Sequence, residues 1–159
     1  MTQRLAYAKA APSAFKALLG VKAYLDATEL DQALLDLVYL RVSQINGCAY
    51  CIDLHSQDLL KRGGAMDRLA LLPVWREAPG LFTERERAAL SWAEAVTRLG
   101  EAGVPDAAFT AAFAVFSDKD LADLTVAIGL MGAFNRLSIS FRTPPLALQR
   151  HHITQEEQI

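Results

Sequence analysis

The sequence predicts an all-α protein, a single-domain helical bundle of about six helices. Apolar residues recur at helical spacing, and no segment keeps the apolar–polar alternation of a strand. Cap and turn residues divide the chain into segments of helical length. At 159 residues and 52% hydrophobic content, the chain is long enough for one globular core. We therefore interpret residues 1–159 as one domain, with 146–159 as a polar tail.

Two helices are predicted in the first third of the chain. Pro12 is suited to begin the first, because the missing N–H is not needed there. Thr28 or Asp31 can cap the second, and Asn46–Gly47 can end it. The apolar positions of the two helices are Phe15, Leu18, Leu19, Leu25, Leu34, Leu35, Val38 and Ile45.

The remaining four helices follow from similar signals. The third begins near Cys48 and runs to about Arg62, where Gly63–Gly64 favours termination. An irregular connection follows, and Thr83 with Glu86 forms a capping box before the fourth helix. That connection contains Pro73, Trp75, Pro79 and Gly80. The fourth helix is expected to end at about Leu99, and the fifth to span Asp106–Phe116. Ser117–Asp118 caps the sixth, which is expected to end before Thr143–Pro144–Pro145.

Composition argues against several classes of partner. Lys and Arg number 16 against 18 Asp and Glu, and the basic residues are scattered, so no nucleic-acid-binding surface is expected. The most apolar window, Leu124–Phe134, is shorter than the roughly 20 residues that cross a bilayer, so we expect a buried helix and no membrane partner. The N-terminus lacks the apolar run of a signal peptide, which predicts a cytoplasmic location.

The stretch SQINGCAYCIDLHSQ, residues 43–57, holds both cysteines and one of the three histidines. With Cys48 at 0° on an ideal helix, Cys51 lies at about 300° and His55 at about 340°, so the three share one face. Cys51 and His55 are four residues apart, a spacing at which helical side chains are neighbours. The redox motif therefore lies at the start of the third predicted helix.

This pattern points to thiol redox chemistry. A thiolate is favoured by a helix N-terminus, where Cys48 lies, and by a nearby proton acceptor, which His55 offers to Cys51. The two sulfurs can close into a disulfide that a second thiol system would reduce. In a reducing cytoplasm, a Cys-x-x-Cys pair is more often catalytic or metal-binding than a permanent crosslink. No bound cofactor is needed for this chemistry.

Two other interpretations stay open. Two inert, buried cysteines beside a satisfied histidine are one of them. A structural zinc site is the other, although it needs a fourth ligand. Its ligands would be Cys48, Cys51 and His55, with Asp36, His151 or His152 as the fourth.

The run LVYLRVSQINGCAYCIDLHSQDLLKRG, residues 37–63, resembles the core motif of the alkylhydroperoxidase D-like proteins of the carboxymuconolactone decarboxylase family. The looser similarity extends through LLPVWRE, FTERERAALSWAEAVTRL and AFNRLSISF. This resemblance implies an all-helical fold, assembly into trimers or hexamers, and peroxidase activity that uses the cysteine pair. Gly129 and Gly132, which let another helix approach closely, also favour a homo-oligomer.

The resemblance also assigns roles to the site residues. It makes Cys51 the peroxide-attacking thiol and Cys48 the resolving one; the helix dipole alone favours Cys48, and the His55 spacing favours Cys51. The family has a glutamate in its proton relay twelve residues before the first cysteine, and that position is Asp36 here. In a hairpin about Asn46–Gly47, Asp36 lies about 15 Å and His55 about 12 Å from the turn, so the two can meet.

We therefore predict a thiol-dependent peroxidase whose catalytic residues are Cys51, Cys48, His55 and Asp36. Its substrates would be a hydroperoxide and a dithiol reductant, either a lipoyl-bearing or a thioredoxin-like protein. A redox-sensing or disulfide-exchange protein is one alternative. A decarboxylase or lactone-processing enzyme of the wider family, which would act without the cysteine pair, is another.

Overall fold

The computed structural model describes residues 2–101, 103–148 and 150. Within these residues the protein is all-helical, with one isolated β-bridge, between Gly100 and Gly103. The α-helices are α1 (Tyr7–Ala10), α2 (Pro12–Asp26), α3 (Gln32–Asn46), α4 (Ala49–Lys61), α5 (Met66–Leu71), α6 (Glu84–Thr97), α7 (Asp106–Phe113) and α8 (Asp118–Phe141). Two 3₁₀ segments, Leu72–Glu77 and Pro79–Leu81, connect α5 to α6. The predicted all-α fold is confirmed.

The predicted helix caps account for most boundaries. The Asp31 carboxylate accepts a hydrogen bond from the Leu34 N–H at the start of α3. Thr83 and Glu86 form the predicted capping box of α6, and the Ser117 hydroxyl caps α8. Gly47 has a φ of 72°, the left-handed conformation that ends α3 and turns the chain into α4.

Short helical segments lie between the six predicted helices. The four-residue α1 precedes Pro12, so the helix that carries Cys51 and His55 is the fourth, α4, rather than the third. In the connection after α4, the chain forms α5 and passes into the 3₁₀ segment Leu72–Glu77. This segment contains Pro73, whose nitrogen cannot donate an α-helical hydrogen bond. Trp75 of this segment is buried. The region predicted as irregular is therefore largely helical.

Two helix ends fall earlier than predicted. α6 stops at Thr97, because Arg98 leaves helical geometry ahead of the Gly100–Gly103 turn. α7 stops at Phe113 instead of Phe116. The shorter α7 lets Phe116 turn into the core, where it is buried, while Ser117 takes the extended conformation of a cap.

Helix α3 is the centre of the protein and packs against α4, α6 and α8. Its residues 34–43 are all buried, so it has no solvent-facing side over this length. A helix buried all round is expected to be apolar, yet this stretch contains Asp36, Arg41 and Ser43. Each of these polar residues therefore requires a partner from a neighbouring helix.

Arg41 is paired with Glu94 of α6. Its Nε and Nη2 donate to Glu94 Oε1 at 2.8 and 2.6 Å. The Trp75 indole N–H donates to the same oxygen at 3.0 Å, and Arg76 binds the other carboxylate oxygen. Burial raises the pKa of Glu94, but hydrogen bonds from Arg76, Arg41 and Trp75 outweigh this and lower it below its ordinary value. This network joins α3, α6 and the 3₁₀ segment.

Helix α8 crosses the core on the other side of α3. It meets the length and composition of a membrane span, a criterion that core helices also meet. Ten of its residues are buried, among them Asn135, which is fully enclosed. The Asn135 amide group donates to Ser43 Oγ of α3 at 3.0 Å and so gives this buried hydroxyl a partner.

We predict that Glu94→Gln lowers the free energy of unfolding by about 3–5 kcal/mol at pH 7, because it leaves the Arg41 guanidinium buried without a counter-charge. Because folding lowers the pKa of Glu94, its ionised form stabilises the protein above the ordinary value of 4.5, and this contribution is lost as pH falls through the folded value. Urea unfolding of the wild type and of Glu94→Gln is expected to show that the difference between their free energies of unfolding becomes smaller below about pH 4.5. Glu29→Gln, the same change at an exposed position, is the control.

Candidate active site

The two cysteines lie at the N-terminus of α4 and form a disulfide. Cys48 is the N-cap, with extended backbone angles, and its Sγ accepts a hydrogen bond from the Cys51 N–H at 3.4 Å. The Cα atoms of Cys48 and Cys51 are 5.4 Å apart, within the range for disulfides. Both residues are almost fully buried, with exposures of 1% and 3%. Cys48 was expected to lie in the first turn of its helix. It instead precedes the helix as its N-cap.

The turn that presents Cys48 is held by α8. The Cys48 N–H donates to the Ser43 carbonyl at 3.0 Å, which closes the α3–α4 turn around Gly47. Asn46 donates to Asn135 Oδ1 at 2.9 Å, and the Asn135 amide group donates in turn to Ser43 Oγ. Asn135 thus holds the end of α3 that leads into the turn, a role for which the sequence offered only its place in AFNRLSISF.

His55 lies one turn beyond Cys51 and is buried between α3 and α4. Its Nδ1 is 3.7 Å from Asp36 Oδ1 and 3.7 Å from Asp58 Oδ2. Both distances exceed hydrogen-bonding length, and Nδ1 has no hydrogen-bond partner among the described residues. The Tyr39 ring packs against the imidazole, with centroids 5.1 Å apart. The imidazole Nδ1 therefore faces two carboxylates, one from α3 and one from α4.

The structure brings Asp36 to His55 across the α3–α4 hairpin, at the depth that the sequence predicted. Asp36 also accepts a 2.7 Å hydrogen bond from Arg62 Nε on its other oxygen. Burial raises the pKa of Asp36, but the neighbouring His55 and Arg62 more than offset this and hold it below its ordinary value. Asp36 is thus ionised at neutral pH. Its role in proton transfer stays a prediction.

Sequence reasoning missed Asp58 and Arg62. Asp58 lies three residues after His55, a spacing that places two side chains on the same helix face. Arg62 was interpreted only as the end of α4, yet it anchors the carboxylate that faces the histidine. The i,i+3 spacing could have revealed Asp58. The Arg62 contact depends on how α3 and α4 pack.

The zinc interpretation required thiolates from both cysteines. A disulfide sulfur is not a thiolate, so that ligand set exists only in the reduced protein. His151 and His152, the proposed fourth ligands, lie outside the described residues. Donor atoms of Asp36, His55 and Asp58 lie within 4.8 Å of one another, but Arg62 already neutralises Asp36. This arrangement is an ion-pair network around the imidazole.

Cys51 and His55 line the same apolar cavity, which has a volume of about 230 Å³. Side chains from α1, α2, α4 and α8 form its walls, and most of them are aliphatic or aromatic. The residues that complete the lining are Tyr7, Phe15, Leu19, Lys22, Tyr50, Leu54, Leu130, Met131, Phe134 and Ser138. A substrate in this cavity would contact one cysteine and the histidine together.

Fold and site define an all-helical protein with a cysteine pair at a helix N-terminus, beside a buried histidine. The chain belongs to the carboxymuconolactone decarboxylase family, whose model matches residues 10–95. It is 31% identical over 140 residues to the uncharacterized protein YdfG of Bacillus subtilis, covering 88% of this chain and 95% of YdfG. It is 35% identical over 121 residues to the uncharacterized protein YnjA of Escherichia coli, covering 76% of this chain and 65% of YnjA. The predicted family is confirmed.

Solved structures agree with this assignment. ATU0492 from Agrobacterium tumefaciens, a protein of unknown function proposed to be the antioxidant defence protein AhpD, superposes with a TM-score of 0.86. The two are 42% identical, and the match covers 91% of this chain and 98% of that one. An uncharacterized peroxidase-related protein with an AhpD core, from Ralstonia eutropha, shares the fold at 22% identity. Its TM-score is 0.75, with 87% of this chain and 74% of that one covered.

We predict that Asp36→Asn slows alkylation of Cys51 near pH 7 by roughly three- to tenfold and moves the rate profile to higher pH. The reason is that the variant loses the carboxylate charge beside the imidazole that is proposed to accept the Cys51 proton. The measurement is the iodoacetamide rate against pH in a reduced Cys48→Ser background, so that Cys51 alone reacts.

Two further variants make this test specific. Asp36→Glu is expected to preserve or increase the rate, because its longer arm shortens the 3.7 Å gap to His55. Asp58→Asn measures the second carboxylate in the same assay. If Asp36→Asn leaves the profile unchanged, Asp36 has no part in activating the thiol.

Proposed function

We propose that this protein is a thiol-dependent peroxidase that reduces organic hydroperoxides through the Cys51–Cys48 pair. One observation carries the proposal: Cys51 lines an apolar cavity together with His55 and is bonded to Cys48 outside that lining. A peroxide in the cavity would meet a thiol, a proton acceptor and a resolving cysteine in that order. The family and the similarity to ATU0492, which is proposed to be the antioxidant defence protein AhpD, support this function.

The cycle consumes one hydroperoxide and two thiols. His55 takes the proton of the Cys51 thiol, and the thiolate attacks the terminal peroxide oxygen. The O–O bond breaks, the alcohol leaves with a proton, and Cys51 becomes a sulfenic acid. The Cys48 thiolate then attacks Cys51 Sγ, releasing water and forming the disulfide. A dithiol reductant then restores both thiols by thiol–disulfide exchange.

The cavity walls favour alkyl over hydrogen peroxide. Phe15, Leu54 and Phe134 can bury an alkyl chain, which gains about 0.8 kcal/mol per methylene removed from water. Hydrogen peroxide has no such group to bury. We therefore expect kcat/KM to rise with the length of the alkyl group until the cavity is filled.

We predict that Cys51→Ser abolishes peroxide consumption, because the attacking sulfur is lost. Cys48→Ser should instead consume one equivalent of peroxide and stop at a sulfenic acid on Cys51, detectable by dimedone labelling and mass spectrometry. The opposite pattern would assign the attack to Cys48.

Thiol stoichiometry separates the proposed function from its alternatives. Reduced protein mixed with an alkyl hydroperoxide should lose two thiols per peroxide consumed. A redox sensor would form the disulfide without turnover when reductant is supplied. Activity retained in the Cys48→Ser, Cys51→Ser double variant would favour decarboxylase or lactone chemistry and sink the peroxidase proposal.

We also propose that the protein forms a homo-oligomer through a patch on α7 and α8. Phe109, Phe113 and Val126 are each more than 40% exposed, although all three are large and apolar. Together with Trp92 and Leu121 they form one apolar surface depression. Such a surface is typical of an interface between protein chains.

Light scattering at micromolar concentration should give a mass of three or six times 17.4 kDa. Phe113→Glu is expected to shift this mass toward the monomer, because it places a charge in the apolar patch. Met66→Glu, at an exposed apolar position outside the patch, is the control. A wild-type monomer would contradict the proposal.

A further inference from the structure

A second cavity, of about 480 Å³, opens on the other side of the disulfide. Cys48 and the first turn of α4 form one wall, and the C-terminal end of α8 with the following Thr143–Pro145 segment forms the opposite wall. Tyr50 and Ser138 line both cavities and separate them. Each sulfur of the disulfide therefore faces its own cavity, Cys51 the apolar one and Cys48 this second one.

The Cys48 cavity is built for a negative charge. Arg4 and Arg142 line it, and none of the described residues in its lining is acidic. The N-terminus of the 13-residue α4 also points to it and adds partial positive charge. Arg4 donates to the Ser140 carbonyl, whereas the Arg142 side chain makes no hydrogen bond or ion pair within the described part of the chain.

Two unused hydroxyl groups belong to the same cavity. Ser138 and Thr143 both line it, and each has a buried hydroxyl oxygen without a hydrogen-bond partner among residues 2–101, 103–148 and 150. Ser138 is only 3% exposed. Buried hydroxyl groups are normally satisfied by protein, water or ligand. Here two of them accompany a guanidinium that has no partner among the described residues, and hydroxyl groups with a guanidinium are a set of donors that binds a carboxylate.

The backbone at Arg142 adds to this argument. Arg142 has a φ of 55° at the C-cap of α8, and it is the one residue other than glycine with positive φ in the described chain. Glycine would adopt this conformation more easily. An arginine held in a less favourable conformation at a cavity wall is consistent with a binding role for its side chain.

We propose that the Cys48 cavity is the binding site of the reductant, and that this reductant is a small dithiol with a free carboxylate. The carboxylate pairs with Arg142, assisted by the Ser138 and Thr143 hydroxyl groups, and its thiol faces Cys48. This inference rests on the proposed redox cycle of the cysteine pair. Peroxide and reductant then use opposite sides of one disulfide.

The reduction step balances as two thiol–disulfide exchanges. A thiolate of the reductant attacks Cys48 Sγ, the Cys48–Cys51 bond breaks, and the electron pair leaves on Cys51. His55, which lines the cavity on the Cys51 side, is placed to return a proton to that sulfur. The second thiol of the reductant then attacks the reductant sulfur that is bonded to Cys48, and the Cys48 thiol is released. The reductant leaves as a cyclic disulfide, oxidised by two electrons.

The test compares two dithiols that differ in one charge. Dihydrolipoate carries a free carboxylate, and dihydrolipoamide carries a neutral amide in its place. The rate of reduction of the oxidised full-length protein is measured with each dithiol, and the acid rate is divided by the amide rate. The same two dithiols are then used to reduce a neutral small-molecule disulfide, and the ratio for the protein is divided by the ratio for that disulfide. We expect a corrected ratio of about ten for the wild type at low ionic strength, falling toward one in high salt.

Three variants locate the effect. Arg142→Gly suits the left-handed backbone and should stay folded, with an unchanged or higher Tm, while the ratio falls to about one. Arg142→Lys should keep much of the ratio, since it keeps the charge. Arg98→Ala, which removes an exposed guanidinium from the end of α6, should leave the ratio at the wild-type value.

A wild-type ratio near one, or a ratio that Arg142→Gly leaves intact, overturns the proposal. The proposal is also overturned if Arg142→Gly slows only the oxidation of the reduced protein by a carboxylate-bearing hydroperoxide. In that case the cavity would bind the peroxide. The assay starts from the disulfide and contains no peroxide. The expected ratio without peroxide turnover would therefore support the reductant site and contradict the peroxidase proposal alone.

Discussion

The fold depends on satisfying three polar residues in a helix that is buried all round. Residues 34–43 of α3 have no solvent-facing side, so Asp36, Arg41 and Ser43 are costly to bury unless each has a partner. Arg41 draws in Glu94, Trp75 and Arg76 from α6 and the 3₁₀ segment. Asp36 draws in Arg62 and His55 from α4, and Ser43 draws in Asn135 from α8. The same pairings that hold the neighbouring helices to α3 also build the candidate active site.

The cysteine pair lies where two of these pairings meet. Asn135 fixes the turn before Cys48, and the Asp36 contacts fix the depth of His55 beyond Cys51. The redox motif is therefore held at both ends by buried polar contacts. Stability and chemistry are coupled here, since a change at Ser43 or Asn135 would move the sulfur as well as loosen the core. The disulfide lies between an apolar cavity and a basic one, which allows two chemically different molecules to reach its two ends.

Predictions from sequence succeeded where the signal was local. Gly47 ends α3, and Thr83 with Glu86 begins α6, because helix caps depend on residues within one turn. Local signals failed where the core decided the outcome. α7 ends before Phe116 because that ring is buried in the core, and the Pro73 region is helical because Trp75 must reach Glu94. Cys48 proved to be the cap of α4 rather than a member of its first turn.

By itself, the sequence determined the helical class and the grouping of Cys48, Cys51 and His55, because these depend on period and on spacing along one element. The family followed from the resemblance of the motif in residues 37–63. The meeting of Asp36 with His55 was predictable from hairpin depth, since both residues flank the same turn. Only the tertiary structure decided that Asp58 also faces His55 and that Arg62 binds Asp36. Only it paired Glu94 with Arg41. Only it placed Arg142, Ser138 and Thr143 opposite Cys48. Those residues lie some 90 positions from the motif, and no local pattern reports which face of α8 packs against the start of α4.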